Sequence, residues 1–200
     1  MNSGQTSERV YDALKQRILG NAFRPGERLE PALLADILSS SPTPVREALN
    51  SLVGARLLEN RTGSGFHLAL IDEPGLRDLY AWNGQILTLA VKSWTASGDA
   101  THERGTIEAG AEAIRSCFVR IAKRSINAEH LAAVEGVSDR LHAARLVETQ
   151  VVGDPAGEID AMTQAADGND RRALQHLIAA FHRRRIGQAA AVVRALYRGA

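Results

Sequence analysis

Arg46 is the residue whose type and position carry the clearest chemistry in this sequence. It stands in the run Thr43-Pro44-Val45-Arg46-Glu47. Thr43 can cap a helix with its hydroxyl, and Pro44 fits the first helical position, where its missing N–H would be unpaired. An apolar stripe then follows at helical spacing: Val45, Ala48, Leu49 and Leu52. The stripe predicts a helix with Arg46 on the solvent side, where a guanidinium can bind a guanine edge or a phosphate.

A purely structural interpretation of these residues stays open. Arg46 could pair with Glu47 or Asn50 on a solvated helix face and bind nothing else. Glu47 is interpreted as the partner of a neighbouring arginine rather than as a reader of bases. Gly63 and Gly65, further along, suit a tight turn under either interpretation.

The elements that must position Arg46 are short helices and a hairpin within residues 1–72. A first helix is predicted over residues 7–20, with Ser7 as its cap and Gly20 as its stop. A second is predicted over residues 31–38, with four side chains facing inward: Leu33, Leu34, Ile37 and Leu38. A polar turn at residues 39–42 leads to the helix of Arg46. Two apolar runs around residues 60–65 then predict a β-hairpin, which makes the whole a helix-turn-helix with a wing.

Residues 73–200 predict an all-helical bundle. Helices are expected over residues 75–97 and 101–125, the first stopped by Gly98 and Asp99. Asn127 is expected to cap a third helix that breaks near Gly136, and Asp170 to cap the last. A shorter helix opens at Pro155. The inward stripe of the third helix is predicted as Leu131, Val134, Leu141 and Leu146. The fold class is therefore mainly α, with a domain boundary between residues 72 and 73.

Composition excludes several classes of protein. The chain has 200 residues, with 24 Lys and Arg against 23 Asp and Glu. One cysteine, Cys117, excludes an internal disulfide framework and a cysteine-based zinc cluster. No apolar run suits a membrane span or a signal peptide, so a cytoplasmic location is expected. Residues 1–72 hold 8 basic and 8 acidic residues, so bulk charge does not point to nucleic acid. We expect the acids Glu8, Asp12, Glu27, Glu30 and Asp36 to be turned away from any bound DNA.

The first 72 residues resemble the winged-helix domain of the GntR family of bacterial transcription regulators. The resemblance is carried by Tyr11, Leu14, Ile18, Pro25-Gly26-Glu27-Arg28-Leu29, Leu34-Ala35, Ser41, Thr43-Pro44-Val45-Arg46-Glu47-Ala48-Leu49, Leu52, Leu57-Leu58, Gly63 and Gly65. It implies double-stranded operator DNA as the partner and a recognition helix starting near Thr43. The contacts that it implies are Thr43, Pro44, Arg46, Arg61, Gly63, Ser64, Gly65 and His67. The family commonly has an arginine before this threonine, where this chain has Pro42.

The second half resembles the ligand-sensing FadR-type (FCD) domain, through its helix order, Asp78-Leu79-Tyr80 and the segment 168–173. Many such domains hold a metal ion through an Asp-x3-His pair and two later histidines. Those positions fall here on Ile114, Phe118, Glu158 and Ala180, and an effector-binding arginine of the family falls on Asn83. We therefore expect no metal cofactor, and a more apolar effector pocket at these five residues. A register shifted by two would use Asp160 and His182, still without the first pair.

The expected function is sequence-specific repression of transcription by a homodimer, paired through the helical domain on a two-fold operator and modulated by a small-molecule effector. One alternative is a regulator that has lost effector and metal sensing and acts constitutively. Another is a helical enzyme, although the sequence has no nucleophile elbow, P-loop, HExxH or complete dinucleotide fingerprint. Cys117 is interpreted as a buried, inert thiol.

The remaining titratable residues are interpreted as structural. Single histidines on helical patterns are expected to be exposed or satisfied by neighbours: His102, His130, His142 and His176. The basic run at residues 183–185 could bind an anion, but a solvated helix face is the more usual role of such a run.

Overall fold

The computed structural model describes residues 3–95 and 110–198. The chain divides between Ile71 and Asp72 into two compact units, which we call the winged unit and the helical unit. The winged unit contains α1 Ser3–Leu19, β1 Arg28–Leu29, α2 Pro31–Ile37, α3 Pro42–Gly54, β2 Leu58–Arg61 and β3 Gly65–Leu68. The helical unit contains α4 Glu73–Lys92, α5 Ala111–Lys123, α6 Ala128–Val151, α7 Ala156–Asp167 and α8 Arg171–Arg198. The predicted mainly α architecture is confirmed.

The start of α3 differs from the prediction by two residues. Ser41, in an extended conformation, is the N-cap, and Pro42 occupies the first turn. Thr43 and Pro44 therefore lie inside the helix rather than at its cap. Pro42 and Pro44 both lack an N–H, so the helix start has fewer unpaired donors and forms without a side-chain cap. The predicted buried stripe of this helix is confirmed: Val45, Ala48, Leu49 and Leu52.

Two predictions about the first two helices are wrong. Helix α1 begins before Ser7, so Ser7 is not its cap. On α2 the buried residues are Leu34 and Ala35, whereas Leu33 is 63% exposed and Ile37 52% exposed. Leu33 and Ile37 are four residues apart and therefore lie on one face of α2. Because successive residues of an α-helix are turned by about 100°, this face differs from the one that carries Leu34 and Ala35. A helix of seven residues is too short for its apolar pattern to settle which face is buried.

The wing is a three-stranded antiparallel sheet in the order β1-β3-β2. The predicted hairpin of β2 and β3 is confirmed, with Arg61 opposite Gly65 at its tip. Strand β1 was not predicted, because its two residues are too few to show alternation. Its Leu29 is buried and pairs with Phe66, which adds the sheet to the core of the winged unit.

In the helical unit the predicted caps are confirmed. The Asn127 carboxamide accepts a hydrogen bond from Glu129 N, and the Asp170 carboxylate accepts one from Ala173 N. Helix α6 runs through Gly136 without the predicted break, and Leu146 on it is 41% exposed rather than inward. Helix α4 ends at Lys92, and the predicted stops and the start of the next helix, residues 98–107, lie outside the described residues.

The helices of this unit pack around α4, which contacts α8, α6 and α5. Gly84 permits the close approach of α4 and α8, since a Cβ atom there would lie 3.0 Å from His182 Cγ. Trp94, just after α4, is buried and donates from Nε1 to Ile121 O at 2.9 Å. No helix in the described ranges has the length and apolarity needed to cross a bilayer.

Candidate nucleic-acid interface and interior of the helical unit

The exposed start of α3 presents Arg46 to solvent. Ser41, Pro42, Thr43 and Arg46 are all exposed, whereas Val45 is fully buried beneath them. Within the described part of the chain, no hydrogen bond or ion pair holds the guanidinium of Arg46, so the structural interpretation that pairs it with Glu47 or Asn50 is not realised. A cation with no internal partner is free to bind an external anion or acceptor.

Glu47 has a structural role, but its partner is a serine and not an arginine. Its carboxylate accepts a hydrogen bond of 2.5 Å from the hydroxyl of Ser7 on α1. The bond joins the first helix to the recognition-type helix α3, next to Arg46. The prediction of a neighbouring arginine is therefore wrong, and the carboxylate is engaged within the winged unit.

The wing tip is held in shape from within. Gly63 and Gly65 have φ values of +74° and +81°, which other residues adopt at a cost. His67 is only 7% exposed, and its Nδ1 donates to Gly65 O at 3.0 Å. In the neutral ring Nε2 then accepts from the hydroxyl of Ser64, at 3.2 Å. His67 thus supports the conformation of the tip from within the winged unit, and its contact with DNA stays a prediction.

Two arginines stand at the wing, and sequence reasoning singled out only one. Arg61 forms hydrogen bonds of 3.2 and 3.1 Å to Glu59 on the same strand face. Arg28 on β1 is 57% exposed, pairs with Glu30, and its Nε lies 4.0 Å from where a Cβ of Gly65 would be. The signal for Arg28 was its place in the Pro25–Leu29 motif, but only the unpredicted strand β1 brings it to the wing.

Four acids of the winged unit are engaged by groups within that unit. Glu27 accepts from Arg24 N, and Glu30, Glu47 and Glu59 are each engaged by a neighbouring side chain. Glu8, Asp12 and Asp36 are exposed on α1 and α2. Arg46 on α3 has no internal partner among the described residues, so no acid within the unit is paired with its positive charge.

In the helical unit, the five residues predicted to line an effector pocket separate into two groups. Asn83, Ile114 and Phe118 are buried in the core. Both polar atoms of the Asn83 amide lack a hydrogen-bond partner, although the residue is 0% exposed. Glu158 and Ala180 are half-buried, and Glu158 is taken up by an ion pair with Arg185 at 3.0 Å.

An ionic network that the sequence did not reveal fills part of this interior. Arg185 Nε donates to Glu148 at 2.7 Å, and the hydroxyl of Tyr80 donates to the same carboxylate at 2.6 Å. Arg185 is 1% exposed and Glu148 2% exposed. Arg185 also lies over the ring of Phe181, 3.2 Å from its centroid. Burial, followed by the nearby Glu148 charge, raises the pKa of Tyr80. The expectation that residues 183–185 form one solvated face is therefore wrong for Arg185.

Arg145 and His182 meet at the ring of Phe118. Arg145 is 2% exposed, its guanidinium lies 5.3 Å from the centroid of that ring, and burial lowers its pKa to about 10. His182 stacks on the ring at 5.6 Å and donates from Nδ1 to Ile178 O. Its Nε2 is buried without a partner. Burial above all, together with the charges of Arg145 and Arg185, lowers the pKa of His182 to about 3, although the backbone hydrogen bond to Ile178 opposes the shift.

The other histidines lie apart from this interior. His130 is hydrogen-bonded to Ser125, His142 is half-buried and His176 is exposed, while His102 lies outside the described residues. Asp160 is exposed on α7, so the shifted ligand register does not bring it into the core with His182. Among residues 3–95 and 110–198, no three His, Cys, Asp or Glu side chains are grouped so that they could hold one metal ion.

Comparison with known proteins decides the family. The model of the bacterial regulatory proteins of the gntR family matches residues 6–68. The nta operon transcriptional regulator of Aminobacter aminovorans is 32% identical over 145 residues, which span 64% of this chain and 68% of that protein. The chain belongs to the GntR family. It is a DNA-binding transcriptional regulator and not an enzyme.

One further relative and two solved structures extend the comparison. The HTH-type transcriptional repressor GlaR of Escherichia coli is 31% identical over 93 residues, or 46% of this chain and 42% of that protein. A solved GntR regulator of Rhodococcus sp. RHA1 has a TM-score of 0.78 at 17% identity, over 94% of this chain and 98% of that one. The E. coli structure McbR/YncC has a TM-score of 0.65 at 20% identity, over 94% and 97%. At these identities the two structures show a shared fold.

Cys117 of this GntR regulator is unsuited to nucleophilic chemistry. Burial raises the pKa of its thiol to about 11. Among the described residues, its hydrogen-bond partner is Thr163, whose Oγ1 lies 3.9 Å from Cys117 Sγ. A thiol in this state is neutral near pH 7 and reacts poorly.

Acid is expected to destabilise the helical unit of this GntR regulator through His182. The folded His182 has a pKa of about 3, whereas the unfolded side chain has one near 6.5. Below pH 6.5 the unfolded chain therefore binds a proton that the folded one does not, and the free energy of unfolding falls. The loss from this group is about 2 kcal/mol at pH 5.

Urea unfolding at pH 7.5 and pH 5, followed by tryptophan fluorescence, measures this loss. Both tryptophans, Trp82 and Trp94, lie in the helical unit, so the signal reports that unit. His182→Leu should lose about 2 kcal/mol less than the unmodified chain over this range. His176→Gln, which changes an exposed histidine on the same helix, should behave like the unmodified chain. Equal losses in the His182 variant and the unmodified chain would contradict the prediction.

Proposed function

We propose that this regulator is a repressor that binds a two-fold operator as a homodimer, with the start of α3 in the major groove of each half-site. The single observation that carries this is Arg46, which is exposed and has no internal partner among the described residues at the start of the helix. In helix-turn-helix proteins the first residues of the recognition helix contact the base edges. A dimer is proposed because a two-fold operator requires two recognition helices.

Each proposed DNA-contacting residue has a stated role. Arg46 binds a guanine edge, Thr43 a phosphate or a thymine methyl, and Pro44 packs beside the backbone. At the wing, Gly63, Ser64 and Gly65 approach the minor groove closely because the tip carries little side-chain bulk. The positive charges of Arg61 and Arg28 attract phosphates of the DNA backbone, and His67 supports the conformation of the tip. Since few phosphates are neutralised per subunit, the dependence of affinity on salt should be shallow.

We assign residues 1–72 to DNA binding and residues 73–200 to dimerisation and effector sensing, as in the FadR-type subfamily. The support for an effector is the interior around Phe118. His182 Nε2 is buried there without a partner, Arg145 is a buried cation at the same ring, and the Asn83 amide on α4 is also buried without partners. Buried polar groups without partners are costly, and a polar ligand would satisfy them. Ile114 and Phe118 would supply the apolar wall of that pocket, with Glu158 and Ala180 at its edge.

A constitutive regulator is the second candidate, and the network of Arg185 favours it. Arg185, Glu148 and Tyr80 fill interior space with the chain's own side chains and are joined by hydrogen bonds, with Arg185 Nη2 left without a partner. An interior occupied in this way needs no ligand to be stable. The two candidates differ in one observable, namely whether any small molecule stabilises the folded protein.

DNA binding is tested with the full chain and a labelled duplex from the region upstream of its own coding sequence. Fluorescence anisotropy at 0.1 M and 0.3 M salt should give an affinity at least about 100-fold above that for a scrambled duplex. A stoichiometry of two chains per duplex is expected. Equal affinity for the two duplexes would overturn specific recognition, and a promoter reporter whose output rises with the regulator would overturn repression.

A thermal-shift screen of small metabolites separates the two candidates. A ligand that binds only the folded state raises the melting temperature. A ligand that does so, and that also changes operator affinity, supports effector sensing. A broad panel in which no compound shifts the melting temperature supports the constitutive regulator.

A further inference from the structure

Helix α8 is the most basic element of the described chain, and it contains no acid. Its 28 residues include seven arginines and no aspartate or glutamate. Arg171, Arg184 and Arg185 are each held by groups of the helical unit. The other four arginines are exposed, and within residues 3–95 and 110–198 no hydrogen bond or ion pair holds their guanidinium groups: Arg172, Arg183, Arg194 and Arg198. Four positive charges on one helix are therefore available to an external partner.

These four arginines lie on one face of α8. At 100° per residue, positions 172, 183, 194 and 198 fall within an arc of about 80°. Arg172, Arg183 and Arg194 follow one another at intervals of eleven residues, which is three turns plus about 20° and about 16 Å along the helix axis. We call the four arginines the α8 stripe. It is a row of cations that extends along almost the whole helix.

The face of the α8 stripe is free of large apolar side chains over most of its length. Between Arg172 and Arg194 it holds His176 and otherwise only small residues: Ala179, Ala180, Gly187 and Ala190. A Cβ atom added at Gly187 would meet no atom within 4 Å, so this part of the face is open. Helices that lie on a lipid surface insert a face rich in Trp, Phe or Leu, whereas the apolar face of α8 is buried within the unit. The α8 stripe therefore suits a polyanion that binds by charge alone.

The length of the α8 stripe matches the repeat of B-DNA. Arg172 and Arg194 are 22 residues apart, or about 33 Å along the helix axis, and one turn of B-DNA rises by about 34 Å. When α8 lies along a duplex, these two arginines can therefore reach phosphates one turn apart on the same strand. The duplex carries one negative charge per about 1.7 Å of its axis, so Arg183 and Arg198 find phosphates as well. Since the chain belongs to a family of DNA-binding regulators, duplex DNA is the polyanion that it meets when it acts.

We infer that the α8 stripe binds the phosphate backbone of a second segment of duplex DNA, outside the operator that α3 reads. It is a further DNA-binding surface beyond the proposed function, and because it contacts no bases it binds DNA of any sequence. Each phosphate that an arginine neutralises releases counterions, so affinity for long DNA falls steeply as salt rises. A duplex only as long as the operator has no second segment, and the shallow salt dependence proposed above applies to it.

Removing two charges from the α8 stripe tests this surface in the full chain. The probe is a scrambled duplex of roughly 60 base pairs, or nearly six turns, titrated by fluorescence anisotropy between about 0.05 and 0.3 M salt. Arg183→Gln combined with Arg194→Gln should weaken its binding at least about tenfold at the lower salt concentrations. The slope of log affinity against log salt concentration should decrease in magnitude by about two. R183K/R194K should bind within about threefold of the unmodified chain, because a phosphate requires the positive charge and not the guanidinium fork.

Lys92→Gln combined with Lys123→Gln is the matched control, since it removes two exposed positive charges from other helices of the same unit. This control should bind the long duplex like the unmodified chain, and circular dichroism should show that every variant is folded. Equal losses in the two glutamine variants would reveal an effect of net charge alone and would overturn the α8 stripe. The absence of a loss in R183Q/R194Q would overturn it as well.

Two further measurements test the occupant of the α8 stripe. On a specific duplex trimmed to the operator, R183Q/R194Q should bind like the unmodified chain, and a tenfold loss there would overturn the second segment. Vesicles of anionic phospholipid that bind the unmodified chain but not R183Q/R194Q, at equal affinity of both for the long duplex, would assign the surface to a membrane instead. Because the scrambled duplex contains no operator, a failure of specific recognition would refute the proposed function and leave this test unaffected.

Discussion

Replacing Arg185 by methionine is expected to lower the free energy of unfolding of the helical unit by about 3–5 kcal/mol. Arg185 and Glu148 are almost fully buried and joined at 2.7 Å. Removing the cation leaves the Glu148 carboxylate in the interior with the hydroxyl of Tyr80 as its hydrogen-bond partner and the buried Arg145 as a nearby charge. Losing one member of a directly joined, buried ion pair is strongly unfavourable. Methionine keeps most of the side-chain volume, so the loss measures the missing charge more than a cavity.

Urea unfolding followed by tryptophan fluorescence measures the effect of this substitution. Arg183→Met is the matched control, since Arg183 is exposed in the same run and should change stability by less than about 0.5 kcal/mol. Combining Arg185→Met with Glu148→Gln should recover part of the loss, because the carboxylate that lost its arginine is then neutral and the hydroxyl of Tyr80 can still donate to it. A loss below about 1 kcal/mol in the single variant would contradict the account of the network.

Replacing Arg46 by alanine is expected to weaken operator binding by about 10- to 100-fold. A two-point contact between an arginine and guanine contributes about 1–3 kcal/mol of discrimination, and each 1.4 kcal/mol is a factor of ten. Because Arg46 is exposed and lacks an internal partner among the described residues, the substitution should leave the fold unchanged. Anisotropy with the specific and the scrambled duplex measures both affinities.

The comparison between the two duplexes shows what Arg46 contacts. If it reads a base, affinity for the specific duplex falls more than affinity for the scrambled one. If it binds only phosphate, the two affinities fall together, and the slope of log affinity against log salt concentration decreases in magnitude by about one. Lys123→Ala, an exposed substitution on α5, serves as the control and should bind like the unmodified chain. Unchanged affinity for both duplexes in the Arg46 variant would remove this residue from the interface.

Local signals predicted the elements that present Arg46 and the caps of two helices in the helical unit. The stripe of α3, the hairpin of the wing and the caps Asn127 and Asp170 each follow from residues close together in sequence. The exact start of α3 was not settled in this way, because Pro42 and Pro44 both suit a first turn. The face of α2 was not settled either, since seven residues show too little of the helical period.

The interior of the helical unit was much less predictable. Arg185 has the spacing of the buried stripe of α8, four residues from both Phe181 and Ala189, and this was an available signal. A charged residue at such a position is usually exposed, unless a partner elsewhere makes burial favourable. That partner, Glu148, lies on another helix 37 positions away, and only the packing of α6 on α8 brings the two together. The same holds for Arg145 and His182, which meet only through Phe118.

His67 gives the wing a thermodynamic advantage. Its ring ties Ser64 and Gly65 to one conformation in the free protein, through hydrogen bonds made before any DNA arrives. A flexible loop would have to give up conformational entropy on binding, at about 1–2 kcal/mol for each residue whose backbone becomes fixed. In this protein that ordering takes place during folding, so the contact that we propose between the wing and DNA would spend little interaction energy on immobilising the tip.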